Sequence, residues 1–417
     1  MTIKRERLHY SWVMVLLAHV VLATQALVSF SFGIFLKPLA ADFNWDRGAL
    51  SSAVLINMLL MGILGIYAGR LSDRYGPRTL VTISGLLVGV GLLLMSQINT
   101  LWQVYLIWGL IIGIGGGCRI VPIMSTVPRW FAKRTGIAVA ICSAGFGVGA
   151  ILAPLLTQWL VSTYDWRHAF VILGLIIFIV VVPLAQFMKH SPQRIGLKPY
   201  GEDRTVEEKQ TSALPIEGLS FPQAIRTRRF WIYGLIQFCF FFCCFVIFVH
   251  IVPYINDIGF SEVAAAGTLS IVAGMSLIGR LSMGFISDRM GSRLALSACL
   301  FLGALALLWL LFAQELWMFY VFAVAFGYAF GSVAPLETIV PIELFGLSSL
   351  GVILATLMLF TMSGAGLGPM VAGSIFDATG SYSLAFLICV VLGMLAIILS
   401  LTLLKAKSWR GSSQIAS

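Results

Sequence analysis

Twelve long apolar runs dominate this chain of 417 residues, and they restrict its fold more than any other feature. Each run is long enough to cross roughly 30 Å of hydrocarbon as a helix. Only 11% of the residues are charged, whereas a soluble domain has about a quarter. The sequence therefore predicts an all-α membrane protein with transmembrane helices at residues 11–36, 47–68, 79–97, 101–128, 136–161, 167–188, 230–254, 262–284, 294–313, 316–340, 348–375 and 383–404.

The basic residues predict the orientation of these helices. If the N-terminus is cytoplasmic, 22 of the 27 Lys and Arg residues lie on the cytoplasmic side and only Lys37, Arg47 and Arg167 lie outside. This asymmetry is the positive-inside bias, and it predicts a multi-pass protein of the cytoplasmic membrane with both termini inside. The net charge of +10 is thus explained by topology, and no nucleic-acid partner is expected. The first run leads into further spans, so no cleavable signal peptide is expected either.

A polar stretch in the middle divides the spans into two sets of six. Residues 191–228 are charged, contain Pro and Gly, and have no hydrophobic periodicity, which predicts a cytoplasmic linker. The predicted domains are an N-terminal six-helix bundle at 1–190 and a C-terminal six-helix bundle at 229–417.

The two halves repeat each other. The stretch "GRLSDRYGPR" (Gly69 to Arg78) after span 2 returns as "GFISDRMGSR" (Gly284 to Arg293) after span 8, at an offset of 215 residues. Prolines repeat between spans 4 and 10 at an offset of 213 residues, as Pro122 with Pro335 and Pro128 with Pro341. Duplicated six-helix units are typical of secondary transporters, whose substrate site lies near the bilayer midplane between the halves.

The repeated stretch suggests a gate. Asp73 and Asp288 are expected to bond the end of a neighbouring helix, while Arg74 and Arg289 hold further contacts on the cytoplasmic side. The pattern G-x-x-x-D-R-x-G-x-R, present twice, resembles the major facilitator superfamily. The resemblance implies two pseudo-symmetric six-helix bundles that rock about a central cavity.

Other stretches resemble the monocarboxylate transporter family. They are "RWFAKRTGIAVAICSAG" (Arg129 to Gly145), "HIVPYINDIGFSEVAAAGTLSIVAGMSLIGRLSMGFISDRMG" (His250 to Gly291), and "YGPR" and "IGLKPYG", which agree with bacterial members. The resemblance implies a monomeric, proton-linked symporter of small monocarboxylates such as L-lactate and pyruvate, working by alternating access. Exchangers of the oxalate/formate type share much of this pattern, so organic anion exchange is the alternative.

Arg280 is the main substrate-binding candidate. Its guanidinium keeps its charge, and it lies roughly 12 Å of helix before Asp288. A charge at this depth costs from about 3 to well over 10 kcal/mol unless it faces water or a partner. No Asp or Glu of the predicted spans is expected at this depth, so the substrate carboxylate is the expected counter-ion. In the family this arginine is implicated in carboxylate binding. The alternative is an arginine that bonds carbonyls between helices.

The proton carrier of the family is missing. Mammalian members have an aspartate where this chain has Ser276, and a lysine in the span 1 region that here contains Val28. His250 is the candidate for both substrate binding and proton coupling, because histidine titrates near neutral pH. The alternative is a histidine that is only hydrogen-bonded at a helix end. His19 in span 1 is a weaker candidate.

Arg119 is a second arginine at comparable depth, on span 4. It follows a glycine-rich stretch that ends at Gly117, and both residues, like Val28, are substrate-binding candidates. Two arginines from opposite halves would clamp one anion, which would favour a dianion. Alternatively, Arg119 only bonds groups on the cavity wall. We find no nucleophile with a base and no metal-ligand set in the sequence, so we predict a transporter rather than an enzyme, with no cofactor or metal.

Overall fold

The computed structural model describes residues 10–131, 135–201, 218–346 and 349–404. In these residues it contains twelve helices that are long and apolar enough to cross a membrane, which confirms the predicted fold class. They are α1 (Tyr10–Phe43), α2 (Arg47–Tyr75), α3 (Pro77–Met95), α4 (Leu101–Trp130), α5 (Thr135–Tyr164), α6 (Trp166–Phe187), α7 (Arg228–Asp257), α8 (Glu262–Met290), α9 (Ser292–Leu310), α10 (Leu316–Phe345), α11 (Leu350–Thr379) and α12 (Ser383–Leu404).

The predicted linker contains two short helices, Pro192–Ile195 and Phe221–Ile225. Residues 202–217 of the linker lie outside the described part of the chain. The side chains of Asp73, Arg74 and Asp288 also lie outside it, so the gating prediction for them stays a prediction.

The repeated stretch forms the same turn twice. Gly76 separates α2 from α3 and Gly291 separates α8 from α9, and both have a positive φ, of 81° and 84°. Glycine adopts this conformation without the steric cost that a Cβ brings. The last glycine of the pattern therefore ends one helix and begins the next at equivalent places in the two halves.

Helix α4 is irregular, although the sequence predicts one continuous span. It is π-helical over Tyr105–Ile112, α-helical over Gly113–Gly117 and again over Ile120–Thr126, and interrupted at Cys118 and Arg119. Pro122 explains the interruption, because a proline has no N–H for the carbonyl four residues earlier and its ring clashes with that carbonyl. The glycines before it further weaken the helix.

The chain forms two units, and their boundary differs from the division into six and six spans. Of the described residues, the first contains those up to residue 35 and those between 60 and 205, and the second contains the others. In the first unit, α3 packs on α6 and α4; in the second, α7 packs on α11 and α12, and α10 packs on α8 and α9. The end of α1 and the first turns of α2 therefore belong with the C-terminal helices.

Equivalent helices approach each other through glycines in both units. A Cβ on Gly145 or Gly149 of α5 would lie within about 2 Å of a carbonyl oxygen of α1, at 2.0 Å from His19 and 1.9 Å from Ala23. The same contact recurs 219 residues later, between Gly364 of α11 and Phe238 of α7, and between Gly368 and Phe242. The internal repeat is thus a repeat of helix contacts, which small residues allow.

The second unit brings α8 and α10 together in the same way. A Cβ on Gly331 of α10 would lie 1.8 Å from the Ser276 carbonyl oxygen, and one on Gly279 of α8 would lie 2.4 Å from that of Tyr328. Because these obstacles are backbone atoms, no side chain can move aside. The contact therefore determines the position of α8 on α10 beside Arg280.

We predict that Gly331→Ala destabilises the protein by about 1–3 kcal/mol, because the added methyl must push α8 away from α10. Gly274→Ala is the matched control, since a Cβ at Gly274 of α8 meets nothing within 4 Å. Thermal denaturation of the two purified variants measures the difference. Equal melting temperatures would contradict the proposed tight contact.

Candidate functional site

Arg280 lies in α8, one residue after the glycine that contacts α10. Its side chain is partly buried and interacts electrostatically with Glu337 of α10. Arg280 precedes the end of α8 at Met290 by ten residues, and Glu337 precedes the end of α10 at Phe345 by eight. At 1.5 Å per residue, the two lie about 15 Å and about 12 Å from these helix ends. The two charges therefore lie at similar distances from the C-terminal ends of their own helices.

The expectation that no acidic residue lies at the depth of Arg280 is wrong. The predicted span 316–340 placed Glu337 within one turn of its end, whereas α10 continues to Phe345. Pro335 and Pro341 both lie inside α10. The signal was present in the sequence as an acidic residue within an apolar run.

Helix α7 completes the surroundings of Glu337. The side chains of Gln237 and Tyr233 both interact electrostatically with the carboxylate. The Oε1 atom of Glu337 is buried and has no hydrogen-bond partner among the described residues. The site thus combines a cation, a carboxylate and an amide from α8, α10 and α7.

Arg119 lies in the first unit and is fully buried. Its Nε donates to Ser84 Oγ of α3 at 2.9 Å, and Nη1 donates to Thr24 Oγ1 of α1 at 3.3 Å. Ser84 in turn donates to the Gly115 carbonyl at 2.5 Å. The Nη2 atom is buried and has no partner among the described residues. Two hydroxyls, one from α3 and one from α1, therefore bind this guanidinium at the place where α4 is interrupted.

The other candidates of the first unit lie at helix contacts. Gly117 packs on α2, where a Cβ would lie 3.1 Å from Leu64 Cβ and 3.2 Å from the Met61 carbonyl oxygen. Val28 is buried in α1. His19 Nδ1 lies 2.7 Å from the Ile141 carbonyl oxygen of α5, so this ring joins two helices.

His250 is fully buried in α7, and both of its ring nitrogens are hydrogen-bonded. Nε2 lies 2.8 Å from the Pro369 carbonyl oxygen, which only accepts, so Nε2 carries a hydrogen. Nδ1 lies 3.0 Å from the Tyr382 hydroxyl, which donates to it if the ring is neutral. Ser51 Oγ of α2 lies 3.4 Å from Nε2. The structure thus places His250 in a network of polar groups from α2, α11 and the loop before α12.

This network continues to Arg47, the first residue of α2. Its guanidinium donates to both carboxylate oxygens of Asp257, at 2.5 Å and 3.1 Å, and to the Tyr382 hydroxyl at 2.9 Å. It also lies over the Phe376 ring, 4.0 Å from the ring centre. We call Arg47, Asp257, Tyr382, His250 and Asp377 the Arg47 cluster.

Asp377 contributes by capping α2. Its two carboxylate oxygens accept from the backbone N–H groups of Arg47 and Gly48, at 2.8 Å and 2.6 Å. A carboxylate is favourable there because the first N–H groups of a helix lack partners and carry partial positive charge. Gly48 permits the approach, since a Cβ would lie within 2.6–2.8 Å of Ser374. The cluster thereby fastens the beginning of α2 to α7 and α11.

Tyr382, between α11 and α12, keeps its proton in this cluster. Burial raises the pKa of its phenol, although the Arg47 guanidinium acts in the opposite direction. The hydroxyl therefore accepts from Arg47 and donates to His250. Sequence reasoning missed Asp257, Tyr382 and Asp377, because nothing in their local sequence indicates a contact with residue 47.

The gating candidate Arg289 lies in the last turn of α8 and is exposed. A basic residue is favourable at the C-terminal end of a helix. Its companions in the prediction lie outside the described side chains, so no gate contact is assigned to Arg289.

Relatives with similar sequences are named as transporters. Monocarboxylate transporter 13 of Rattus norvegicus is 27% identical over 91% of this chain and 85% of its own length. YcxA of Bacillus subtilis (strain 168), an uncharacterised transporter of the major facilitator type, is 27% identical over 88% of this chain and 89% of its own. Human monocarboxylate transporter 2 is 26% identical over 85% of this chain and 77% of its own.

The solved structures agree on the fold. An inward-facing, unoccupied bacterial homologue of the human lysosomal transporter Spinster matches with a TM-score of 0.73 at 17% identity, covering 97% of this chain and all of the other. The sequence model of the Major Facilitator Superfamily matches residues 18–296 and 276–415, nearly the whole chain. This protein is therefore a membrane transporter, not an enzyme, and it belongs to the Major Facilitator Superfamily.

Proposed function

We propose that this protein is a proton-coupled symporter of small monocarboxylates of the L-lactate and pyruvate type, working by alternating access. The observation that carries the proposal is Arg280, a cation deep in α8. The sequence similarity to proteins named monocarboxylate transporters supports the substrate class.

Arg280 suits a carboxylate because its planar fork donates two parallel hydrogen bonds to the two oxygens. The surrounding helices are apolar, so the low dielectric strengthens this attraction and the walls accept a short carbon chain. A proton that travels with the anion keeps the loaded carrier neutral. The reorientation then avoids the cost of moving a net charge through hydrocarbon.

A single arginine in the binding site favours a monoanion. The guanidinium of Arg119 already bonds Ser84 and Thr24, which supports a role in holding α1, α3 and α4 together. The alternative is an organic anion exchanger of the oxalate/formate type. Its supporting observation is the buried Nη2 of Arg119, which has no partner in the described part of the chain and would suit a second carboxylate. Gly117 and Val28 would then line the same wall.

The remaining assignments follow from this proposal. We place the protein in the cytoplasmic membrane as a monomeric transport unit with both termini inside, since the basic residues concentrate on that side. The Arg47 cluster would then form the external gate, with His250 linking it to the substrate path. Asp73, Arg74, Asp288 and Arg289 would form the cytoplasmic gate.

The test is uptake of labelled L-lactate into proteoliposomes, with and without an inward proton gradient, beside exchange of labelled oxalate against internal oxalate. We expect accumulation of lactate that depends on the gradient and collapses with a protonophore. Oxalate exchange that is independent of pH, without accumulation of lactate, would replace the symporter by the anion exchanger.

A further inference from the structure

We propose that Glu337 is the group that carries the transported proton. This inference rests on the proposed function, because it assigns a residue to proton coupling at the Arg280 site. The repeated G-x-x-x-D-R-x-G-x-R pattern does not include Glu337, which lies on α10 rather than α8.

The contact between α8 and α10 supports the assignment. Gly279 and Gly331 bring the two backbones together next to Arg280 and less than two turns before Glu337, so the two side chains are held at one level. The arginine and the carboxylate both lie in the second unit. Their interaction therefore does not depend on how the two units move. Their electrostatic interaction is therefore retained as long as α8 and α10 stay packed.

Charge balance then links the proton to the substrate. Without substrate, a Glu337 carboxylate neutralises Arg280. When a substrate carboxylate takes the guanidinium, Glu337 would become a buried anion beside a second anion, which is strongly unfavourable in a low dielectric. One proton on Glu337 removes this repulsion and restores neutrality. Anion binding and protonation of Glu337 are therefore expected to occur together, one to one.

The other groups that face Glu337 do not replace it as the proton acceptor. Arg280 of α8 stays charged, and Gln237 of α7 does not titrate. Tyr233 and Cys244 of α7 interact electrostatically with Glu337 and are already protonated near neutral pH. On α9, Arg293 is paired with Glu343 near the end of α10 at 3.5 Å.

The proton transfer itself is simple. A hydronium ion from the outer solution gives its proton to a Glu337 carboxylate oxygen, where an O–H bond forms and water is released. After reorientation the substrate anion leaves Arg280, the O–H bond breaks, and the proton passes to water on the inner side. The buried Oε1 atom of Glu337 has no hydrogen-bond partner among the described residues, so it is available to bind this proton.

The experiment compares the wild type with Glu337→Gln in proteoliposomes, because glutamine mimics the protonated acid. Three quantities are measured: accumulation of labelled lactate in a proton gradient, internal acidification on addition of lactate, and lactate counterflow at equal pH on both sides. We expect Glu337→Gln to lose accumulation and acidification and to keep counterflow within several-fold of the wild type. Glu343→Gln is the matched control on the same helix and should keep all three.

Binding at different pH gives a second readout. Uptake of one proton per anion predicts that wild-type lactate affinity falls about tenfold per pH unit once Glu337 is ionised in the free protein. Glu337→Gln should bind lactate with an affinity independent of pH over the same range. Lactate-induced thermal stabilisation of the purified protein measures both.

The outcomes separate this inference from the proposed function. If the wild type shows no gradient-driven lactate accumulation, the proposed function fails first. If the wild type accumulates lactate and Glu337→Gln does so equally, with acidification, the assignment of Glu337 is overturned. A folded Glu337→Gln protein that binds no lactate overturns it as well. If this variant does not fold, Glu337→Asp decides: coupling with a displaced pH profile of binding supports the assignment, and an unchanged profile overturns it.

Discussion

Replacing Arg280 with alanine should reduce lactate uptake to the level of protein-free liposomes, both in accumulation and in counterflow. Each hydrogen bond between a charged donor and a carboxylate contributes about 1.5–3 kcal/mol, so losing two of them weakens binding by at least about 100-fold. The variant also leaves Glu337 without its cation, which removes the neutral pair on which the empty carrier depends.

Two comparisons make this result specific. Arg280→Lys keeps the charge but loses the fork, and we expect its lactate affinity to fall by about tenfold or more. Arg226→Ala replaces an exposed arginine and should transport like the wild type. Normal transport by a folded Arg280→Ala protein would remove Arg280 from the binding site.

Replacing Arg47 with alanine should release the first turn of α2 from α7 and α11. The substitution removes two hydrogen bonds to Asp257, one to Tyr382 and the stacking on Phe376. The side chains of Arg47 and Asp257 are only 12% and 24% exposed, so solvent screens this pair weakly. We expect a loss of stability of about 2–3 kcal/mol.

The release of α2 can be measured separately from stability. A cysteine introduced at Ser51, which faces His250 and is fully buried, should react with a water-soluble maleimide much faster in the Arg47→Ala background. Arg167→Ala is the control, because Arg167 stacks on Trp166 in the first unit and does not belong to the cluster. Equal labelling rates in the wild type and Arg47→Ala would show that the Arg47 cluster does not hold the first turn of α2 against α7 and α11.

The sequence predicts the twelve spans well because a membrane helix is indicated by the residues of its own segment. A helix in hydrocarbon satisfies its own backbone, so about twenty apolar residues suffice to indicate it. The repeat was likewise visible, because Gly76 and Gly291 serve the same turn and their surroundings stayed similar. The interruption of α4 was harder to predict from the sequence, because the proline disturbs the helix four residues before its own position.

The partners of the polar side chains could not be predicted, because they lie on other helices that are distant in sequence. His250 was singled out by its type, but its bonds to Pro369 and Tyr382 depend on how α7 faces α11. Arg47 and Asp377 are 330 residues apart, and no local pattern connects them. The electrostatic interaction of Glu337 with Arg280 depends on how α10 packs on α8, where two glycines form the contact.

Hydrophobicity, charge asymmetry and the repeated turn were thus sufficient to determine the class of this protein and to single out Arg280. The tertiary structure decided which groups meet that arginine and which residues hold α2 to the C-terminal helices. The physical reason is that burial in a membrane depends on the composition of each segment alone. A hydrogen bond or ion pair between helices instead requires two side chains to face each other at the same depth, at a place where the two helices are in contact.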